Sequence, residues 1–352
     1  MSKPRTTEPE RRQGTICFEL PDDALEPEHP ARALWQVLGT LELGMFLSLA
    51  RAVEGHAGRP THSPQMLLTL WTYAISQGVG SAREIERLVN TDRAFGWIVG
   101  DVAVSHHALS RFRIGHRAAL DTLMTDILAA LVHEGVLSLR LVALDGMRVR
   151  AAASAPSFRR EASLLECREQ AALHLKAVLA QADDPEHSLA HVRCATAGSE
   201  LGGPRTVVAV ELTNVGSDMG ALTPMLAQIE ARTGVLPQTV LADANHANHE
   251  GIAAAVARGV ETLVAVPSRT RASGPNGNHE PAIAEWKQHM ETDEAKRLYR
   301  ARAGLCEWTN AQFAGRFDLR QFLVRGLDKT TSVALLCAIT SNLTQHLATL
   351  AS

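Results

Sequence analysis

The sequence has few cysteines, no strong excess of charge of either sign and no long apolar run. Its five cysteines lie far apart and form no C-x-x-C pair, which excludes a disulfide framework and a zinc knuckle and favours a reducing compartment. A formal net charge of −3 argues against a uniformly basic surface, so any basic patch must be local. Since the N-terminus is polar and no 18 consecutive residues are apolar, we expect a cytoplasmic protein with no membrane partner.

The chain contains enough hydrophobic residues to form a core. Its predicted secondary structure changes near residue 135. With 352 residues and 45% hydrophobic content, it is long enough for one large domain or two. Before residue 135 the patterns are helical. They comprise an apolar stripe over 31–52, a Ser63-Pro64 cap, a capping box from Ser81 to Glu84, and helices over about 105–116 and 118–132. This half is typical of helix-turn-helix binding modules and equally of any helical bundle.

One segment of the helical half is locally basic. Residues 105–117, SHHALSRFRIGHR, contain Arg111, Arg113 and Arg117 with three histidines and no acidic residue. Such a cluster predicts contacts with phosphate groups. The alternative is a solvated face whose arginines pair with acids elsewhere in the chain.

Strand signals begin after residue 135. Apolar or alternating runs cover 139–144, 148–152, 206–213, 239–244 and 261–267, whereas helical patterns cover 164–182, 219–233 and 249–259. A loop is indicated at 273–281 by its Gly, Pro and Asn content. Strands that cluster first and then alternate with helices predict an α/β fold with a mixed sheet covered by helices.

Two of the apolar strands end in an acid, Asp145 in LVALDG and Asp243 in TVLADA. If these strands are parallel neighbours, about 4.8 Å apart, both carboxylates emerge at one edge of the sheet and require a cation between them. Oxygen ligands with no nearby cysteine favour Mg²⁺ or Mn²⁺. The alternative is that each aspartate caps a turn. His246 and His249 lie near Asp243 without a third neighbouring ligand, which favours a loop entering a helix over a zinc site.

The C-terminal segment carries a resemblance to a known family. Tyr299, Arg302 and Glu307 follow one another at helical spacing, before FLVRGLDK (322–329) and an apolar helix containing Ser341-Asn342-Leu343. Here the chain resembles the bacterial insertion-sequence transposases with a DDE catalytic core, in the branch with a Tyr-Arg-Glu-Lys signature. Further matching blocks in the right order extend the resemblance over nearly the whole chain: GRPTHSPQMLL (58–68), SAREIERL (81–88), SRFR (110–113), LDGMRVRAAAS (144–154), ELTNVGSDMG (211–220) and VLADA (240–244).

The resemblance implies a fold and a set of site residues. The fold is an RNase H-like mixed sheet flanked by helices and preceded by an all-α N-terminal domain. The implied divisions are a flexible N-terminus (1–14), a DNA-binding or dimerisation domain (15–135) and a catalytic domain (136–352). The implied metal ligands, for two Mg²⁺ or Mn²⁺ ions, are Asp145, Asp243 and Glu307. The implied phosphate contacts near the scissile bond are Tyr299 and Arg302, and Arg148 and Arg150 would steer the DNA backbone. Packing for Tyr299, and simple solvent exposure for Arg148 and Arg150, are the alternatives.

The implied function is DNA transposition. The partners would be double-stranded DNA, as terminal inverted repeats and target, and a second copy in a homodimer located at the nucleoid. The sequence departs from the family pattern in four places. Ala314 stands where the signature lysine belongs, and four residues instead of three separate Arg302 from Glu307. Ala244-Asn245-His246 replaces glycine and an aromatic, and the region 185–205 is short. A relative that binds DNA without cutting it, and an unrelated metal-dependent phosphoesterase with the same core, are the alternatives.

Overall fold

The structure is a computed structural model that describes residues 20–48, 60–100, 102–150, 189–199, 203–214, 217–267 and 281–350. Three predicted features lie outside the described residues: the flexible N-terminus at 1–14, the helix at 164–182 and nearly all of the loop at 273–281.

The described part of the N-terminal half is helical, as predicted. Its helices are α1 (Pro30–Thr40), α2 (Pro64–Ser76), α3 (Ala82–Val89), α4 (Arg93–Val99), α5 (His106–Gly115) and α6 (Arg117–His133). The predicted caps are confirmed at Ser63 and Ser81, whose hydroxyls accept hydrogen bonds from the backbone N–H groups of Met66 and Glu84. The apolar stripe over 31–52 does not form one helix. Instead α1 ends at Thr40 and a 3₁₀ turn covers Gly44–Leu47, near two glycines that lower helix propensity.

A five-stranded mixed sheet forms the centre of the remaining chain. Its strands are β1 (Leu141–Arg150), β2 (Leu189–Gly198), β3 (Thr206–Thr213), β4 (Thr239–Ala242) and β5 (Glu261–Val264). They lie in the order β3-β2-β1-β4-β5, with β2 antiparallel to β1 and β3, and with β4 parallel to β1 and β5. The described parts of the two predicted segments, 141–144 and 148–150, belong to one continuous strand, since Gly146 keeps its place in the ladder opposite Arg193.

Helices cover both faces of the sheet. They are α7 (Leu222–Thr233), α8 (His249–Ala257), α9 (Pro281–Met290), α10 (Asp293–Tyr299), α11 (Ala301–Ala311) and α12 (Leu327–Leu350). Leu141 and Ala143 of β1 pack with Leu305 and Cys306 of α11 on one face. The intervening residues of β1 join the main core on the other face. The predicted fold class, a mixed sheet flanked by helices and preceded by a helical region, is confirmed.

The last helix runs through the middle of the molecule. Residues 330–343 of α12 are all buried, and they pack against α2, α5, α6 and β3, so one continuous core joins the helical half to the sheet. By length and composition α12 could cross a membrane, but 61% of its apolar window is buried inside the protein, as in a core helix. The division of the chain into two domains at residue 135 stays a prediction.

Asn342 gives a physical reason for the Asn-Leu pair of α12. Its side chain accepts a 2.8 Å hydrogen bond from the backbone N–H of Val207 and donates one of 2.8 Å to the Val207 carbonyl. Because β3 is the edge strand of the sheet that the structure describes, no described strand pairs with these backbone groups on that side. Asn342 therefore anchors α12 to the edge of the sheet.

Candidate active site

The two strand-end aspartates lie at the same edge of the sheet. β1 and β4 are parallel neighbours, as the sequence predicted, and Ala143 pairs with Leu241 in the last register position. Asp145 and Asp243 each follow that pair by two residues. Because side chains alternate along a strand, both carboxylates project to the same face. The topology thus brings together two residues that are far apart in the sequence.

A single guanidinium nitrogen links the two carboxylates. Nη2 of Arg302, near the start of α11, lies 3.3 Å from Oδ1 of Asp145 and 3.8 Å from Oδ2 of Asp243. The same side chain has an Nε that is buried and has no hydrogen-bond partner among the described residues. Arg302 therefore places a positive charge between two acids and keeps one donor for a further acceptor.

The two carboxyl groups have opposite pKa shifts. Burial raises the pKa of Asp145, although Arg302 and a hydrogen bond from Asn310 oppose that shift. A hydrogen bond to His246, whose Nδ1 lies 2.8 Å from Oδ1, is the main cause that lowers the pKa of Asp243. Asp243 is thus held in the ionised form more firmly than Asp145.

Asp243 also caps the turn that follows it. Its Oδ1 accepts a 3.0 Å hydrogen bond from the backbone N–H of Asn245. Asp243 therefore caps a turn, as the alternative expected, and also lies beside Arg302. His246 is buried against Asp243, and His249 begins α8, with its ring against Trp286. Within the described ranges, no group of three or more His, Cys, Asp and Glu side chains is placed to hold a metal ion.

Glu307 lies on the same helix as Arg302, and its role as a third metal ligand stays a prediction. Glu307 is exposed on α11 and forms no hydrogen bond or ion pair with any residue that the structure describes. Asn310, three residues later, donates a 2.8 Å hydrogen bond from Nδ2 to Oδ2 of Asp145. The residues that meet at this edge are therefore Asp145, Asp243, Arg302 and Asn310.

The sequence analysis did not single out Asn310. The spacing of the sequence nonetheless indicates its position. Asn310 follows Arg302 by about two helical turns, and residues four and eight positions apart lie on the same helix face.

Tyr299 lies beside the two aspartates but not on the helix of Glu307. α10 ends at Tyr299, and α11 begins at Ala301 after a joint at Arg300. Burial raises the pKa of Tyr299; the charge of Arg302 opposes that shift, whereas the charges of Asp243 and Asp145 add to it. The phenol is thus half-buried at the site and holds its proton at neutral pH.

The arginines predicted on β1 are exposed at the surface. Arg148 and Arg150 alternate with the buried Met147 and Val149. The alternation of a strand places the two arginines on the face opposite to Asp145. Their role in steering DNA stays a prediction.

The basic segment at 105–117 divides into buried and exposed arginines. Arg113 is only 5% exposed, lies 4.5 Å over the Trp71 ring and donates a 2.7 Å hydrogen bond to the Gly80 carbonyl. Burial lowers its pKa to about 10. The prediction that Arg113 contacts phosphate is thus corrected, because its guanidinium is enclosed in the core. Arg111 and Arg117 are exposed, and Arg117 pairs with Asp328, as the solvated-face alternative expects.

Comparison with known families gives two matches. The model of a transposase domain (DUF772) matches residues 20–114, and the model of a transposase DDE domain matches residues 269–347. The second range includes Tyr299, Arg302, Glu307 and Asn310, whereas the strands that carry Asp145 and Asp243 lie outside both ranges. Searches of curated proteins and of solved structures returned no match. The two family matches indicate a DDE transposase family, which acts on DNA and generally uses divalent metal ions, but they do not distinguish the Tyr-Arg-Glu-Lys branch.

Proposed function

We propose that the chain is the transposase of a bacterial insertion sequence and that it cleaves and joins DNA strands at the element's terminal inverted repeats. The observation that carries this proposal is the meeting of Asp145 and Asp243 at one nitrogen of Arg302, in a chain whose two ends match transposase domains. Phosphodiester cleavage requires a site that concentrates positive charge beside the scissile phosphate. Asp145 and Asp243 already share one positive group, the guanidinium of Arg302, at the place where such a site would form.

The residues present fit a hard divalent cation. Two carboxylates already share one positive charge, and the neighbouring Cys306 has its pKa raised by burial to about 12, so it remains a neutral thiol. Oxygen ligands without a thiolate suit Mg²⁺ or Mn²⁺. Asp145, Asp243 and Glu307 would hold the ions, two in the proposed scheme. Bound there, the ions would activate the attacking water or 3′-hydroxyl and stabilise the leaving oxygen.

The remaining side chains of the site would bind the DNA phosphate. The Nε–H of Arg302, buried and unpartnered while the side chain lies against the carboxylates, could donate to a phosphate oxygen once that side chain moves away from them. The protonated hydroxyl of Tyr299 can donate to a second oxygen. With a metal ion held by the two acids, Arg302 would be free to bind the phosphate through Nη2 as well as through Nε.

The path of the DNA away from the site is proposed from the exposed arginines. Arg111 and Arg117 on the helical half, with Arg148 and Arg150 on β1, would contact phosphates of the duplex. We assign DNA binding and homodimer formation to residues 15–135 and catalysis to residues 136–352. The protein would work in the cytoplasm at the nucleoid.

The proposal is tested with the DNA that flanks the gene. A labelled duplex that carries one flanking inverted repeat is incubated with the full chain and Mg²⁺ or Mn²⁺. We expect nicks at the repeat boundary that EDTA abolishes. Asp145→Asn should bind the duplex but not cut it, and Asp293→Asn, which changes an exposed acid at the start of α10, should cut like the wild type. If the wild-type chain binds the repeat but cuts it with neither ion, the proposed cleavage is rejected.

A further inference from the structure

We propose that Arg320 binds a DNA phosphate beside the carboxylate pair, at the place where this chain has Ala314 and the Tyr-Arg-Glu-Lys signature has lysine. This inference rests on the proposed function, since it concerns the DNA that the same site would cut. Three observations support it: the hydrogen bond between Arg320 and Ala314, the backbone pairing that sets the direction of the Arg320 side chain, and the exposure of its guanidinium.

The segment after α11 folds back on itself. α11 continues into a π-helical turn, Gln312–Arg316, and Asp318 then has a positive φ of 52°. Aspartate is one of the few residues other than glycine that tolerate this left-handed conformation. The reversal returns Arg320 to the helix end, where its Nε donates a 3.0 Å hydrogen bond to the Ala314 carbonyl. The guanidinium therefore lies at position 314, although Arg320 comes six residues later in the chain.

The backbone of Arg320 pairs with β1 beyond Asp145. The N–H of Arg150 donates a 3.0 Å hydrogen bond to the Arg320 carbonyl, and the N–H of Phe322 donates one of 2.9 Å to the Arg150 carbonyl. Gln321 is thus the partner of Arg150 and shares its face of the sheet. Because side chains alternate, Arg320 projects to the other face, which is the face of Asp145. The pairing therefore puts this charge on the side of the sheet where the DNA would be cut.

Ala314 lies close to the site along the helix. Asn310, which donates a hydrogen bond to Asp145, precedes Ala314 by one turn, and one turn spans ~5.4 Å of an α-helix. A guanidinium bound at the Ala314 carbonyl is therefore offset from Asp145 along α11. This offset suits a phosphate near the scissile one, whereas Arg302 and Tyr299 would contact the scissile phosphate itself.

The guanidinium of Arg320 is accessible to a ligand. Its side chain is 73% exposed, and both its bond to Ala314 and its 3.7 Å contact with Asp318 involve Nε. Asp318 is also exposed, and such a surface pair contributes little to stability. Nη1 and Nη2 can both donate to one phosphate, which is the bidentate geometry that arginine favours.

The alternative role for Arg320 is that of a helix cap. Basic side chains near a helix end stabilise its last carbonyl groups, and the bond to Ala314 has that effect by itself. Arg316 is the basic residue of the π-helical turn, but its Nε lies 3.4 Å from the Ser76 carbonyl of α2, towards the helical half. A variant that keeps the cap and removes the charge distinguishes a cap from a phosphate contact.

The test measures binding of the full chain, without a divalent ion, to duplexes that carry one flanking inverted repeat. In these duplexes a neutral methylphosphonate replaces, one at a time, each phosphate near the repeat boundary. Arg320→Gln keeps a donor for the Ala314 carbonyl, and we expect it to bind the unmodified duplex about 10-fold more weakly. The slope of log affinity against log salt should fall by about one unit. At one phosphate, neutralisation should weaken the wild type but not this variant, because the contact is already lost.

Position 314 allows a rescue, and Arg258 provides a control. In the Arg320→Gln background, Ala314→Lys should restore most of the affinity and the sensitivity at the same phosphate, since it returns a cation to the same place. Arg258→Ala changes an exposed arginine just before β5, at the edge of the sheet opposite to the aspartates. It should bind as the wild type does.

The outcomes separate this inference from the proposed function. If Arg320→Gln binds with wild-type affinity and salt slope, Arg320 is only a helix cap. If the wild type and Arg320→Gln respond alike at every phosphate, the charge of Arg320 does not contact the DNA. Both comparisons use an exposed substitution, so they decide the question even if Ala314→Lys does not fold. Absence of cleavage by the wild type would reject the proposed function and leave these binding results unchanged, whereas a wild type that binds no duplex would reject both.

Discussion

Asn310 donates a hydrogen bond of 2.8 Å to Asp145 across 165 residues of sequence. The preceding residue, Thr309, also reaches the sheet, since its hydroxyl lies 2.7 Å from that of Thr196 on β2. These two contacts fix α11 over β1 and β2 and thereby set the height and rotation of Arg302 over the aspartates. The geometry of the site thus depends on the position of α11 on the sheet. Mutations at the contacts between α11 and the sheet should therefore displace Arg302 from the aspartates.

Removal of Arg302 should make the metal-free protein less stable and more responsive to a cation. In Arg302→Ala the two carboxylates lose the charge between them, so we expect a loss of about 1–3 kcal/mol in the free energy of unfolding at pH 7. Mn²⁺ should raise the melting temperature of this variant more than that of the wild type, because no arginine has to be displaced. Arg300→Ala, at the exposed joint between α10 and α11, is the matched control. Equal Mn²⁺ shifts in all three proteins would contradict the shared-cation arrangement.

Arg111 and Arg113 should have opposite phenotypes although they are two residues apart. Arg113→Ala loses a buried hydrogen bond and a contact with the Trp71 ring, so we expect it to destabilise the fold by about 2–4 kcal/mol. Arg111→Ala should leave unfolding nearly unchanged and reduce the slope of log DNA affinity against log salt by about one unit. Chemical denaturation and binding titrations at several salt concentrations measure both effects. The reverse pattern would place Arg113 at the DNA surface and contradict its burial.

Gly146→Ala should disturb the strand next to Asp145. A Cβ at this position would lie 3.0 Å from Oδ1 and 3.2 Å from Oδ2 of Asp218, a carboxylate held by Arg193 at 2.8 Å. Since Arg193 is buried and also binds Glu211, Asp218 can give way only by stretching its ion pair with Arg193. We expect a loss of about 1–3 kcal/mol in stability and reduced DNA cutting. Gly304→Ala on α11, where a Cβ meets nothing within 4 Å, is the control that should keep both.

His346 should make the fold less stable in mild acid. Its ring is buried where α12 kinks, its Nε2 lies 2.8 Å from the Thr206 hydroxyl, and burial lowers its pKa below the ordinary 6.5. The unfolded chain then takes up a proton at a higher pH than the folded chain. This contribution to stability is therefore complete above about pH 6.5 and declines as the pH falls towards the folded pKa. In denaturation series from pH 8 to pH 5, the wild type should lose more stability below pH 6.5 than His346→Gln. Parallel curves would show that His346 does not titrate differently on folding.

The sheet and its aspartates were predictable because their signals are local. β1, β3, β4 and β5 are apolar runs, and a buried strand must be apolar wherever it occurs. Asp145 and Asp243 were recognisable as acids that interrupt such runs. β2 was not predicted, because its His191, Arg193 and Thr196 are polar and yet buried. Arg193 can be buried since Glu211 and Asp218 neutralise it, and these partners come from a later part of the chain.

The details of the site depend on contacts that no local pattern records. Which side chains of α11 face Asp145 depends on the rotation of the helix, and one residue of shift turns a side chain by ~100°. The burial of Arg113 depends on Gly80, which lies 33 residues earlier, and on the Trp71 ring. A cluster of arginines in sequence therefore predicted a surface that the fold divides between core and solvent.

The central claim, that Asp145 and Asp243 hold the catalytic cation, is tested most directly by a crystal soaked in Mn²⁺ and measured for anomalous scattering. We predict a peak between the two carboxylates, about 2.0–2.2 Å from an oxygen of each, as hard divalent ions require. In the same map Arg302 should have moved off both acids, and Asn310 should still donate to Asp145. A fully soaked crystal with no peak at this pair, and with Arg302 still bridging the two aspartates, would contradict the account.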